Sequence, residues 1–142
     1  MFCDNCSQVA ETEPNTALLL IVALLDETKL RTLMAACEER RVEPVLEVAT
    51  EAEMDTALSV GGSVIGINNR DLNTFVVDES RAERLYRYGC SRAPTARFVA
   101  FSGIQSREQI DSSGLGSFLV GGSILSSADP AAKLAELTEP RR

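Results

Sequence analysis

The 142-residue sequence contains no histidine and only four cysteines, Cys3, Cys6, Cys37 and Cys90. Cys3 and Cys6 form a C-x-x-C pair that could be half of a zinc site. A closed structural site needs four ligands, however, and neither a second C-x-x-C nor a histidine is present to complete it. No metal is therefore expected, and nothing in the cysteine spacing asks for an oxidising compartment. Long hydrophobic runs are also missing. The longest, "ALLLIVALL" from Ala17 to Leu25, stops at Asp26, far short of the roughly 20 residues needed to cross a bilayer, and reads as a buried strand. Clustered positive charge is absent too. With a net charge of -7 and no basic block, the chain lacks the footprint of a nucleic-acid binder. Its amino-terminal region carries Asp4 and Glu11 in place of a basic stretch followed by an apolar one, which argues against a secretory signal. A cytoplasmic protein is expected, and a plastid location is also compatible.

What is present describes a globular α/β domain. A content of 44% hydrophobic and 25% charged residues supports one core in a chain of ordinary domain length. Residues 1–16 show neither helical nor strand period and read as an irregular leader, 17–138 as the folded part and 139–142 as a tail. Five aliphatic runs, at 18–23, 44–49, 63–68, 97–102 and 117–121, alternate with helical segments, which implies parallel pairing in βαβ units. Three helix starts are marked. Thr50 with Glu53 and Ser106 with Gln109 have capping-box spacing, and Asp129 precedes Pro130. Leu30, Leu33, Met34 and Cys37 keep helical step, as do Met54, Ala57 and Leu58, so each helix has one face to bury.

Four features fall at the carboxyl ends of the expected strands, where α/β proteins place their sites. Glu47 is a lone acid within "PVLEVA", so it must face a polar pocket or hold its proton more tightly than usual. Asn68 and Arg70 follow "VIGI", either as part of a solvated loop or as part of a site. Ser102-Gly103 ends "VAFSG", and Gly121-Gly122-Ser123 ends "FLVGGS". Glycines after two successive strands let backbone N–H groups converge on one phosphate, so a small anionic ligand is compatible with an acidic chain.

The strings "PVLEVATEAEMDTAL", "VIGINNRDLNTFVVD", "FSGI" and "FLVGGSIL" followed by "DPAAKLAEL" resemble the second half of indole-3-glycerol phosphate synthase, over about residues 17–138. The resemblance implies a partial (β/α)8 TIM barrel in which five parallel strands stand for barrel strands four to eight. It also implies a decarboxylating ring closure of a carboxyphenylamino-deoxyribulose phosphate in tryptophan biosynthesis, with no cofactor. Glu47 then corresponds to the strand-five catalytic glutamate, and Asn68 and Arg70 to the strand-six substrate pair. Ser102 corresponds to a strand-seven substrate contact, while Gly103, Gly121, Gly122 and Ser123 correspond to the phosphate-binding residues. Asn69 and Asp71 are assigned to the scaffold.

The chain departs from the family in three ways. The lysines that the family draws from strands one and three have no counterpart. Phe101 stands where a glutamate is usual, and Gly-Gly-Ser stands where an acid or a serine is commoner in the second position. Three readings follow. In the first, the chain is a lyase homologue inactive by itself, acting with a complementary half-barrel chain. In the second it is a non-catalytic phosphate-binding or assembly module that self-associates. In the third it is a truncated or fragmentary gene product. Neither nucleic acid nor membrane is an expected partner.

Overall fold

A computed structural model describes residues 9, 13, 15–71 and 74–139. Five strands, β1 (Ala17–Ile21), β2 (Glu43–Val48), β3 (Val64–Asn68), β4 (Arg97–Phe101) and β5 (Phe118–Leu119), form one sheet in the order β1-β2-β3-β4-β5. Every pairing is parallel. Between them lie α1 (Glu27–Arg40), α2 (Glu51–Ser59), α3 (Arg81–Cys90) and α4 (Arg107–Ser113), and α5 (Gly122–Leu125) and α6 (Pro130–Thr138) follow β5. The architecture is a partial α/β barrel.

Side chains alternate across a strand, so the register divides the sheet into two faces. One row runs Leu20, Leu46, Ile65, Phe98, and the next Val48, Ile67, Ala100, Phe118. Apart from the half-buried Phe118, these residues are buried, in one core cluster with Leu30, Leu33 and Cys37 of α1, Met54 and Ala57 of α2 and Leu85 of α3. Burying each large aliphatic side chain contributes about 1.5–3 kcal/mol, and this face holds the helices to the sheet. Val9 is also fully buried in this core. The rest of the expected leader, Cys3 and Cys6 included, lies almost wholly outside the described residues.

The other face carries Leu19, Ile21, Val45, Glu47, Gly66, Asn68, Val99, Phe101 and Leu119. Its cover is uneven: Glu47, Asn68 and Phe101 are buried, whereas Leu119 is 61% exposed. Phe101 lies across Gly66 on the neighbouring strand. A Cβ at Gly66 would overlap its ring, so glycine is required there to seat the aromatic.

Several details differ from the sequence expectation. The run Ala17–Leu25 leaves the sheet after Ile21, which pairs with Glu47, and turns through a 3-10 segment, Val22–Leu24, before Asp26 caps α1 by accepting from Lys29 N–H. The fifth strand shortens to Phe118–Leu119, with only two paired positions in its ladder, Ala100 with Phe118 and Phe101 with Leu119. Ser106 and Gln109 form the reciprocal capping box. At α2, Thr50 accepts from Glu53 N–H, but the Glu53 carboxylate reaches one residue further back, to Ala49 N–H at 2.7 Å. Asp129 caps α6 through Ala132 N–H.

Candidate active site

Glu47 and Asn68 sit on this second face of the sheet, at the carboxyl ends of β2 and β3. Glu47 is 5% exposed and Asn68 7%. Asn68 Nδ2 donates to Glu47 Oε1 at 3.0 Å, and Asn68 Oδ1 accepts from Arg70 N–H at 2.9 Å. This holds the amide in one orientation and aims the carboxyl. Burial pushes the Glu47 carboxyl up from its ordinary value; the Asn68 bond opposes the rise and the nearby Glu53 charge adds to it. Of the two outcomes the sequence left open, Glu47 meets both: it lines a cleft and it keeps its proton longer than an exposed acid.

The polar loop after β3 is built on Asn69. Its Nδ2 donates to the Ser102 carbonyl at 3.2 Å, and its Oδ1 accepts from Ala82 N–H at 2.9 Å. Its backbone joins Phe101 O and Asp78 N–H. Asp71 closes the loop tip by accepting from Thr74 N–H. Arg70 pairs in an isolated antiparallel bridge with Val77 and donates from Nη1 to the Phe75 carbonyl.

After β4 the chain turns through two successive left-handed residues, Ser102 at φ 64 and Gly103 at φ 78. The glycine is obligatory: besides its positive φ, a Cβ there would come within 2.5 Å of Val77 Cγ1. Ser102 has no such freedom, and a non-glycine residue held in this region costs of order 1–3 kcal/mol. After β5, a Cβ at Gly121 or Gly122 would meet nothing within 4 Å, so open space stands above both backbones. Ser123 is 8% exposed, and its hydroxyl has no hydrogen-bond partner among the described residues.

A single cleft of about 510 Å³ gathers Glu47, Asn68, Arg70, Ser102, Gly103, Gly121, Gly122 and Ser123, all eight residues singled out from the sequence. Leu19, Phe101, Ile104, Gln105, Leu119 and Val120 complete its wall. Leu19 and Leu119 were legible only through strand parity, since they fall on the same face as Glu47 and Phe101. A larger depression of about 970 Å³ opens at the amino ends of β1 and β2, around Ala17, Glu43 and Ser63. It contains none of the strand-end residues, and parallel α/β sheets bind their ligands at the other end. Among the described residues no acid or cysteine cluster suits a metal, and no helix is long and apolar enough to cross a membrane.

An open run of parallel strand-helix units with a cleft at the strands' carboxyl ends defines a protein of the α/β-barrel class. Solved structures bear this out: orotidine 5'-monophosphate decarboxylase from Sulfolobus solfataricus matches 85% of this chain and 59% of its own with a TM-score of 0.65 at 11% identity, a likeness of fold. The family model of indole-3-glycerol phosphate synthase matches residues 2–137, and the chain belongs to that family. The indole-3-glycerol phosphate synthase of Desulfosudis oleivorans is 38% identical over 125 residues, covering 85% of this chain and 46% of the relative. That of Aquifex aeolicus is 40% identical over 129 residues, covering 84% and 48%. The chain thus spans about half the length of the curated relatives it matches.

Proposed function

We propose that the chain carries the phosphate-binding and proton-transferring part of an indole-3-glycerol phosphate synthase site, its strands standing for barrel strands four to eight. The observation that carries this reading is the convergence of all eight residues on one cleft. Open space suited to phosphate oxygens stands above the backbone of Gly121 and Gly122, Gly103 lines the same cleft, and the unpartnered Ser123 hydroxyl supplies a side-chain donor. A buried polar group left unsatisfied costs about 1–3 kcal/mol, a cost that a phosphate oxygen would remove. Arg70 adds positive charge at the rim, and Ser102 contacts the sugar. Glu47 transfers the proton during ring closure of the anthranilate-derived ribulose phosphate, with loss of carbon dioxide and water. Asn68 binds the ligand while orienting Glu47. The setting is cytoplasmic amino-acid biosynthesis.

The 142-residue chain by itself is expected to turn over negligibly, because a missing general acid typically removes on the order of 10²- to 10⁴-fold of rate. Incubation with the carboxyphenylamino-deoxyribulose phosphate tests this, and substantial formation of indole-glycerol phosphate would overturn it. Binding is tested separately by titrating a sugar phosphate while following the amide resonances of Gly103 and Gly121. Both should shift, and no response would remove the phosphate reading.

One observation favours a second reading, a phosphate-binding or assembly module without catalysis. Phe101 places an apolar ring over Gly66 at the position where the resemblance expects a carboxylate. A chain that binds sugar phosphate, and stays inactive when mixed with a complementary half-barrel carrying the two lysines, would support this second reading.

A further inference from the structure

Arg81 opens α3, at the helix end where the macrodipole disfavours a cation. Nothing in helix formation asks for an arginine there. Its side chain is nonetheless only 13% exposed. It runs back to the end of β3, where Nη1 donates to the Asn68 carbonyl at 3.1 Å. Asp78 steadies it from the preceding loop, with its carboxylate 3.9 Å from Arg81 Nε and its own N–H donating to Asn69 O.

The Asn68 carbonyl belongs to the peptide unit by which the chain leaves β3. The N–H of the same unit, on Asn69, donates to Phe101 O at 2.9 Å. With both its carbonyl and its N–H held, this peptide plane is fixed, and the Asn68 side chain leaves the backbone in one direction. Its amide then meets Glu47 Oε1 at one end and Arg70 N–H at the other. The bond from Arg81 is charge-assisted, and such bonds are roughly twice as strong as neutral ones.

Arg81 acts from outside the ligand cleft. It lines a separate recess of about 150 Å³ with Ile21, Thr50, Glu53 and Asp71, and it does not line the cleft that holds Asn68 and Arg70. An arginine in the cleft wall would be a binding group. One that reaches only the backbone of a binding residue sets where that residue stands, and binding groups work when such support locks their geometry.

We propose that Arg81 is a positioning residue: through the Asn68 carbonyl it holds the Asn68 side chain in the orientation that serves Glu47 and the ligand. The inference deepens the reading of Asn68 as a ligand-binding group and rests on it. Its test uses no ligand, so a failed phosphate titration and a failed outcome here are distinguishable.

The test follows the side-chain amide of Asn68 in chain labelled with ¹⁵N-asparagine, its resonances being assigned by their loss in Asn68→Asp. Arg81→Met keeps most of the side chain's apolar stem and removes its donors. In this variant solvent exchange of the Asn68 side-chain amide should quicken about tenfold, while the backbone amides of Leu46 in β2 and Leu85 in α3 keep their rates. Arg81→Lys retains a donor and should restore part of the protection, which a purely steric role would not. Arg84→Met removes the other cation beside Asp78, at 3.7 Å, and should leave Asn68 unchanged. Unaltered exchange at Asn68 in Arg81→Met would overturn the proposal, and so would an equal loss of protection at Leu85, the mark of a merely structural role. A variant-free check comes from the parent chain. There the Arg81 guanidinium should rotate slowly enough to give separate Nη signals, and a single averaged signal would count equally against it.

Discussion

Asn68 spends both ends of its amide, one on Glu47 and one on the backbone of Arg70, and this small lock explains why the strand-end residues were legible. A carboxyl in an aliphatic strand and an amide closing the next strand have few ways to be satisfied when buried, and the cheapest is each other. The role of Phe101 was not legible in the same way. Its ring crosses to Gly66 on the neighbouring strand, a packing choice that depends on register and not on local sequence. Glu47 also yields a pH prediction. Its folded-state value lies above the ordinary 4.5, so the native state binds the extra proton more readily than the unfolded chain. The stability this lends is full below the ordinary value and is lost as pH rises through the raised one. Glu47→Gln keeps an oxygen for Asn68 and removes the charge. Urea denaturation should find it more stable than the parent at pH 7 and nearly equal at pH 4, whereas equal stability at both would contradict the assignment.

The elements were readable where one segment supplies its own signals. α2, α4 and α6 carry their caps one residue before they begin. α3 does not, since the hydroxyl of its N-cap Ser80 donates to Asp78 and the Ala82 N–H goes to Asn69 in the loop after β3. A cap supplied from thirteen residues away leaves no local motif. Asn69 thereby joins β3, the turn after β4 and the start of α3. Asn69→Ala would leave the Ala82 N–H and the Ser102 carbonyl without these partners, at a cost of about 2–3 kcal/mol. Hydrogen exchange at Ala82 should speed up well before exchange in β2, and unchanged protection there would show that the cap contributes nothing.

At the scale of the molecule, β1 and β5 each have one strand neighbour among the described residues, and the face that carries Glu47 includes Leu119 at 61% exposure. Unpaired edges and exposed aliphatics favour association, so sedimentation at micromolar concentration should show species larger than a monomer. Leu119→Lys, which puts a charge on the edge, should shift them toward monomer. A well-folded monomer of the parent chain would contradict this. The parallel order of strands was readable from the alternation of strand and helix; the brevity of β5 was not, because an aliphatic run says nothing about how many ladder positions it will pair. That sequential order also bears on how the chain reaches its fold. Each strand pairs with the next one along the chain, so every pairing closes a loop of comparable, modest length, and doubling such a loop costs only about 0.6 kcal/mol. The sheet can therefore grow one unit at a time in the order of synthesis, each new strand docking on an edge already formed. With two ladder positions against four or five in the other pairings, β5 is the unit with the least to hold it as the sheet grows.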